Sequence, residues 1–206
     1  MAIASGYAAM AAKKGGRLHR LSGNVFFGSM LVMAGVAAIT APMLPEDQWV
    51  NTPAAVFALY LTLTAWLTVK RRPGQEGLVE AALTTLPLGV AGVGLYLAVS
   101  SGGSGQYGPV YAFALIGTLA ALRDAAMLRA GGIAGVARTA RHIWRISLAF
   151  FIATGSFFFG QPDAQPDWLR ESALPTILGL APLVLMAFWL ARVRIPHRRR
   201  RTTAAA

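Results

Sequence analysis

Six apolar stretches joined by short polar connections constrain this 206-residue chain more than any other feature. They cover residues 23–43, 53–69, 78–99, 109–128, 142–161 and 174–191. Each is close to the ~20 residues that an α-helix, rising ~1.5 Å per residue, needs to cross ~30 Å of hydrocarbon. Six crossings place alternate connections on opposite sides, and the charges sort accordingly. Of the 19 Lys and Arg residues, all but Arg170 fall on one side. They precede the first stretch (Lys13, Lys14, Arg17, Arg20) or separate the second from the third (Lys70, Arg71, Arg72). The rest surround the fourth-to-fifth connection (Arg123, Arg129, Arg138, Arg141, Arg145) or close the chain (Arg192, Arg194, residues 198–201). Arg170 lies opposite, with Glu46, Asp47, Asp163, Asp167 and Glu171. Cytoplasmic loops retain Lys and Arg. The sequence therefore predicts an all-α, polytopic transmembrane helix bundle of six spans, with both termini on the cytoplasmic side of the inner membrane.

The net charge of +11 would suggest nucleic acid as a partner of a soluble protein. In a chain that is 55% hydrophobic, cations flanking helices hold the ends at anionic lipid headgroups instead. The bilayer and its headgroups are the expected partners, and nucleic acid is not. There is no Cys, which removes thiolate metal sites, iron–sulfur clusters and covalent haem attachment.

The expected organisation is a cytoplasmic lead-in over residues 1–22, a six-span domain over 23–195 and a basic cytoplasmic tail over 196–206. The first residues do not read as a cleavable signal, because their apolar positions precede Lys13 and Lys14 rather than follow them. Residues 3–12 suit a short interfacial helix. The connections are too small for a core of their own, so any activity belongs to the bundle or its rims. Internal duplication has little support: Pro87 with Gly89, Gly92 and Gly94 matches Pro175, Gly179 and Pro182 only loosely.

Polar residues gather near the cytoplasmic rim. His19 and Arg20 stand just before the first span. Glu80 opens the third, with Thr84 one turn deeper. Arg123 and Asp124 lie about a turn inside the end of the fourth, and His142 and Arg145 begin the fifth. Ionisable groups at membrane depth are costly and tend to pair inside a bundle. One reading has Glu80 and Asp124 neutralising Arg145 or Arg123 while other cations reach headgroups. The other makes the layer a pocket for an anionic ligand or lipid. Arg138, Arg141, His142 and Arg145 follow i, i+3, i+4, i+7, so they present one basic face suited to phosphate or carboxylate. The ligand candidates are thus His19, Arg20, Glu80, Arg123, Asp124, Arg138, His142 and Arg145. Transport would need polar groups across the middle, and beyond Thr84, Thr64 and Ser156 there are few.

His19 and His142 also suit a haem b held between two helices, which makes a redox membrane protein the alternative function. Tetrahedral zinc would need Asp124 or Glu80 in addition, and no HExxH signature is present. No nucleophile turn marks a hydrolase, so catalytic residues are not predicted. Tyr60, Thr64 and Thr68 form a polar line at i, i+4, i+8, where hydroxyls can bond to the backbone or to other helices. A third reading is a structural subunit, paired with another membrane protein or with copies of itself.

Two blocks carry a family resemblance: KGGRLHRLSGNVFFGSMLVMAG from Lys14 and RHIWRISLAFFIATGSFFFGQ from Arg141. They resemble the two His-containing segments of a family of uncharacterised bacterial multi-pass membrane proteins. The resemblance marks His19, Arg20, Gly23, His142, Trp144 and Arg145 as signature residues. It implies a bacterial membrane protein and a site that pairs the two histidines, and it implies no activity.

Overall fold

The structure is a computed structural model that describes residues 1–44 and 48–204, with the side chains of all but residue 50 and residues 196–204. Glu46 and Asp47, expected opposite the basic loops, lie outside the described residues, as do the side chains of His197 and residues 198–201. The described chain is helical and contains no strand. Its helices are α1 (Ala2–Ala11), α2 (Arg17–Thr40), α3 (Asn51–Lys70), α4 (Leu78–Leu83), α5 (Thr85–Ser100), α6 (Gly108–Arg129), α7 (Gly135–Phe158), α8 (Asp167–Arg170) and α9 (Leu174–Ala204).

Among the described residues, five segments are long and apolar enough to cross a membrane: Arg17–Met43, Asn51–Lys70, Leu78–Ser100, Gly105–Arg129 and Leu174–Ile195. By length and composition that complement suggests a membrane protein. α7 has the length, since its 24 residues rise roughly 36 Å. Its Arg138, Arg141 and Arg145 make it too polar to count among the five.

Helix limits differ from the apolar stretches for a common reason. Hydropathy reads side chains, whereas i to i−4 hydrogen bonds continue through charged residues until Gly or Pro intervenes. Thus α2 begins at Arg17 rather than at residue 23, so His19 and Arg20 lie within its first turn. α7 begins at Gly135, which places His142 about two turns inside, and it stops before Gln161. α9 continues well past residue 191.

The chain divides into two compact units, Met1–Met30 with Gly135–Ala206, and Leu31–Ala134. In the second unit α5 and α6 pack closely because Gly94 sits against the Ala114 side chain. Gly117 likewise admits Pro87, where an added Cβ would meet the Pro87 ring and carbonyl at 3.3 Å. Pro87 explains the break between α4 and α5 at Thr84: it has no N–H for the Leu83 carbonyl and its ring crowds that carbonyl. α6 ends in a paired cap. The Gly131 N–H donates to the Leu128 carbonyl (3.1 Å) and the Gly132 N–H to the Met127 carbonyl (3.0 Å). Their φ values of +73° and +115° suit glycine.

In the first unit α7 packs along α9. The Thr154 hydroxyl reaches the Gly179 carbonyl at 3.1 Å, and Gly179 leaves room for the Phe159 ring. α1 and α2 both reach α7, where Tyr7 and Phe26 meet the Phe150 ring edge-on at 4.8 and 5.4 Å. Gly6 is required there, because an added Cβ would lie 2.6 Å from that ring. The Tyr7 hydroxyl donates to the Leu178 carbonyl, while Lys14 lies over the Trp189 ring. The amino-terminal helix therefore forms where an interfacial one was expected. Tyr7 of this helix meets α9 at Leu178, and Lys14, just beyond its end, meets α9 at Trp189.

Candidate functional site

The predicted polar residues divide between the two units. Glu80, Arg123 and Asp124 belong to the second. His19, Arg20, Arg138, His142 and Arg145 belong to the first.

In the second unit Glu80 is 1% exposed at the start of α4. Its carboxylate accepts the Gly77 N–H (2.9 Å) at the helix N-terminus, and it pairs with Arg71 at 2.8 Å. An acid three residues into a helix satisfies an end N–H and complements the dipole. Arg71 was absent from the predicted set. Its signal was the Arg–Arg–Pro–Gly turn, which brings residue 71 back toward residue 80. Thr84, expected a turn deeper, donates its hydroxyl to the Glu80 carbonyl at 2.8 Å.

Asp124 is also 1% exposed, whereas adjacent Arg123 is exposed, as a 100° step around α6 requires. The Tyr60 hydroxyl donates to Oδ2 of Asp124 at 2.7 Å. Along the same α3 line, Thr64 and Thr68 donate to the Tyr60 and Thr64 carbonyls, both at 2.6 Å. Sequence reasoning placed Tyr60 on a polar line, but nothing in the spacing linked it to Asp124, 64 residues away.

In the first unit the basic face of α7 is largely enclosed. Arg145 is 0% and Arg141 8% exposed, with Arg138 and His142 half-buried on the same face. The Arg145 guanidinium also lies 4.9 Å from the centre of the Trp144 ring, a favourable cation–π distance. Arg141 was part of the predicted basic run but not of the candidate set, and its burial places it there.

His19 is half-buried, and its Nδ1 lies 2.9 Å from the Ala9 carbonyl. A carbonyl only accepts, so Nδ1 carries the proton toward it. Arg20 is exposed and turns its guanidinium back to the Gly15 carbonyl. Lys14 donates to the Ala9 (3.1 Å) and Met10 (2.6 Å) carbonyls, closing the end of α1. Partial burial pushes its ammonium down from the ordinary lysine range. Among the described residues, no group of three or more His, Asp or Glu gathers as a set of metal ligands.

No family model, curated protein or solved structure matches this chain.

Proposed function

We propose that this chain is a six-span protein of a bacterial inner membrane, with both termini cytoplasmic, that binds an anionic ligand on the basic face of α7. The ligand class is a phosphate or carboxylate, free or carried by a lipid. One observation carries the reading: two arginine side chains one helical turn apart, Arg141 and Arg145, are almost fully enclosed beside His142 and Arg138. The planar forks of guanidinium groups match phosphate and carboxylate oxygens. In this reading α7 is the fifth of six crossings and its charges lie at the cytoplasmic end. The resemblance to uncharacterised multi-pass proteins, which marks His142, Trp144 and Arg145, supports the same face.

The test is thermal stability of the detergent-purified chain, titrated separately with inorganic phosphate, phosphatidylglycerol and phosphatidylcholine. The reading expects stabilisation by phosphate or phosphatidylglycerol that Arg138→Gln weakens. Equal behaviour with all three additives would remove it.

A second reading, a haem-binding redox protein using His19 and His142, draws on the His19 hydrogen bond. With Nδ1 donating to a carbonyl, Nε2 keeps its lone pair for iron, the arrangement usual for a ligating histidine. An ultraviolet–visible spectrum after expression with added haem decides it. A Soret band that shifts on reduction and is lost in His19→Ala or His142→Ala supports haem, and a featureless spectrum of folded protein rejects it.

A further inference from the structure

The turn between α1 and α2 brings four cations to one place: Lys13, Lys14, Arg17 and Arg20. The turn is closed by the Gly16 N–H on the Lys13 carbonyl (2.9 Å), and Arg20 folds back onto the Gly15 carbonyl. This turn sits against α9. Trp189 takes the Lys14 ammonium at 4.8 Å from its centre, and the Arg192 guanidinium at 5.8 Å. One indole thus joins cations from two segments that are distant in the chain. Lys13, Arg17, Arg20 and Arg192 are exposed.

Nothing nearby in this unit neutralises them. Its carboxylates are Asp163, Asp167 and Glu171, all before the start of α9. Arg192 is 18 positions after Leu174, roughly 27 Å along the helix. That exceeds the ~8 Å over which salt leaves charges coupled. Asp163 and Asp167 are already engaged by Arg170, at 3.8 and 2.6 Å. None of the five cations forms an ion pair among the described residues.

Five like charges gathered by the fold repel one another unless an anion joins them. Free phosphate in water would bind such an open patch weakly, since each contact is solvated. A headgroup held at the membrane surface avoids most of that cost, because the bilayer fixes its depth and supplies it at high local concentration. Trp189 fits the same place, as indole rings favour the level of the headgroups.

We infer that Lys14 and Arg192, which both meet Trp189, with Lys13, Arg17 and Arg20 of the adjoining turn, form a binding site for an anionic phospholipid headgroup. Because its cations come from two segments, a headgroup with two phosphates engages both at once and binds more tightly than one with a single phosphate. The site is separate from the α7 basic face and does not depend on it.

The experiment is native mass spectrometry of the full chain in detergent, with cardiolipin, phosphatidylglycerol and phosphatidylcholine offered in turn. Retention should fall in that order. Arg17→Gln and Arg192→Gln should each reduce cardiolipin retention about fivefold, the effect of one surface cation. Arg170→Gln, an exposed cation outside both basic clusters, should leave it unchanged. Both altered residues are exposed, so circular dichroism should remain that of the unaltered chain. Arg17→Lys and Arg192→Lys, which keep the charge, should retain binding even if either Gln variant folds poorly. Equal retention of phosphatidylcholine overturns the inference. So does full cardiolipin binding by both Arg17→Gln and Arg192→Gln, or an equal loss in Arg170→Gln.

Discussion

The hydroxyl of Tyr7 donates to the main-chain carbonyl of Leu178, the carbonyl that Pro182 leaves without its helical donor. In a regular helix the N–H four residues on would fill that place, and proline has none. A side chain from α1 therefore repairs a gap in α9, which tolerates a proline inside a continuous helix.

Tyr7→Phe keeps the ring against Phe150 and removes only the donor. We expect a loss of about 0.5–1.5 kcal/mol. Amide exchange should quicken in α1 and around Leu178, with α3 unaffected. Hydrogen–deuterium exchange on the purified protein reads both.

Tyr60→Phe withdraws one donor from the enclosed Asp124 carboxylate. Removing a hydrogen bond from a buried charged acceptor costs about 1–3 kcal/mol. The melting temperature should drop more than for Tyr111→Phe, whose hydroxyl pairs with the half-buried Ser101.

Gly94→Ala and Gly89→Ala should shift stability in opposite directions. An added methyl at Gly94 collides with the rigid Ala114 side chain, whereas Gly89 opens onto free space. Overpacking costs about 1–3 kcal/mol. Replacing an unobstructed helical Gly by Ala gains about 0.5–1 kcal/mol. Paired melting curves in one detergent give both signs.

The absence of cysteine makes membrane topology directly measurable. Single cysteines at Arg72, Ala134, Gln106 and Asp163 occupy exposed positions in four different connections. With six crossings, an impermeant thiol reagent added to whole cells should label Gln106→Cys and Asp163→Cys and spare the other two. If α7 does not cross, Ala134→Cys and Asp163→Cys will label alike.

Much of the helical pattern was legible because hydropathy and chain length act locally. A run of ~20 apolar residues is committed to a helix wherever it sits, since no other conformation satisfies its backbone within lipid. The helix near residues 3–12 and the polar line of α3 followed from the same local rules. Helix ends were less legible, because backbone bonding runs through charged residues that hydropathy counts as loop. The site was legible as a set of residue types, and two of its contacts join residues that spacing does not relate. Glu80, expected against Arg123 or Arg145, takes Arg71. Asp124 takes Tyr60, which periodicity gave no reason to join to it.

By itself the sequence determined that the chain is helical and apolar enough for a membrane, and on which connections its cations fall. Those properties depend on each residue and its near neighbours. Only the tertiary structure decided that Arg145, Glu80 and Asp124 are enclosed while Arg123 is not. It also decided that Trp189 meets Lys14, and that Tyr7 meets the carbonyl freed by Pro182. Such choices depend on where distant helices touch, and neither spacing nor composition encodes a contact between residues 171 positions apart.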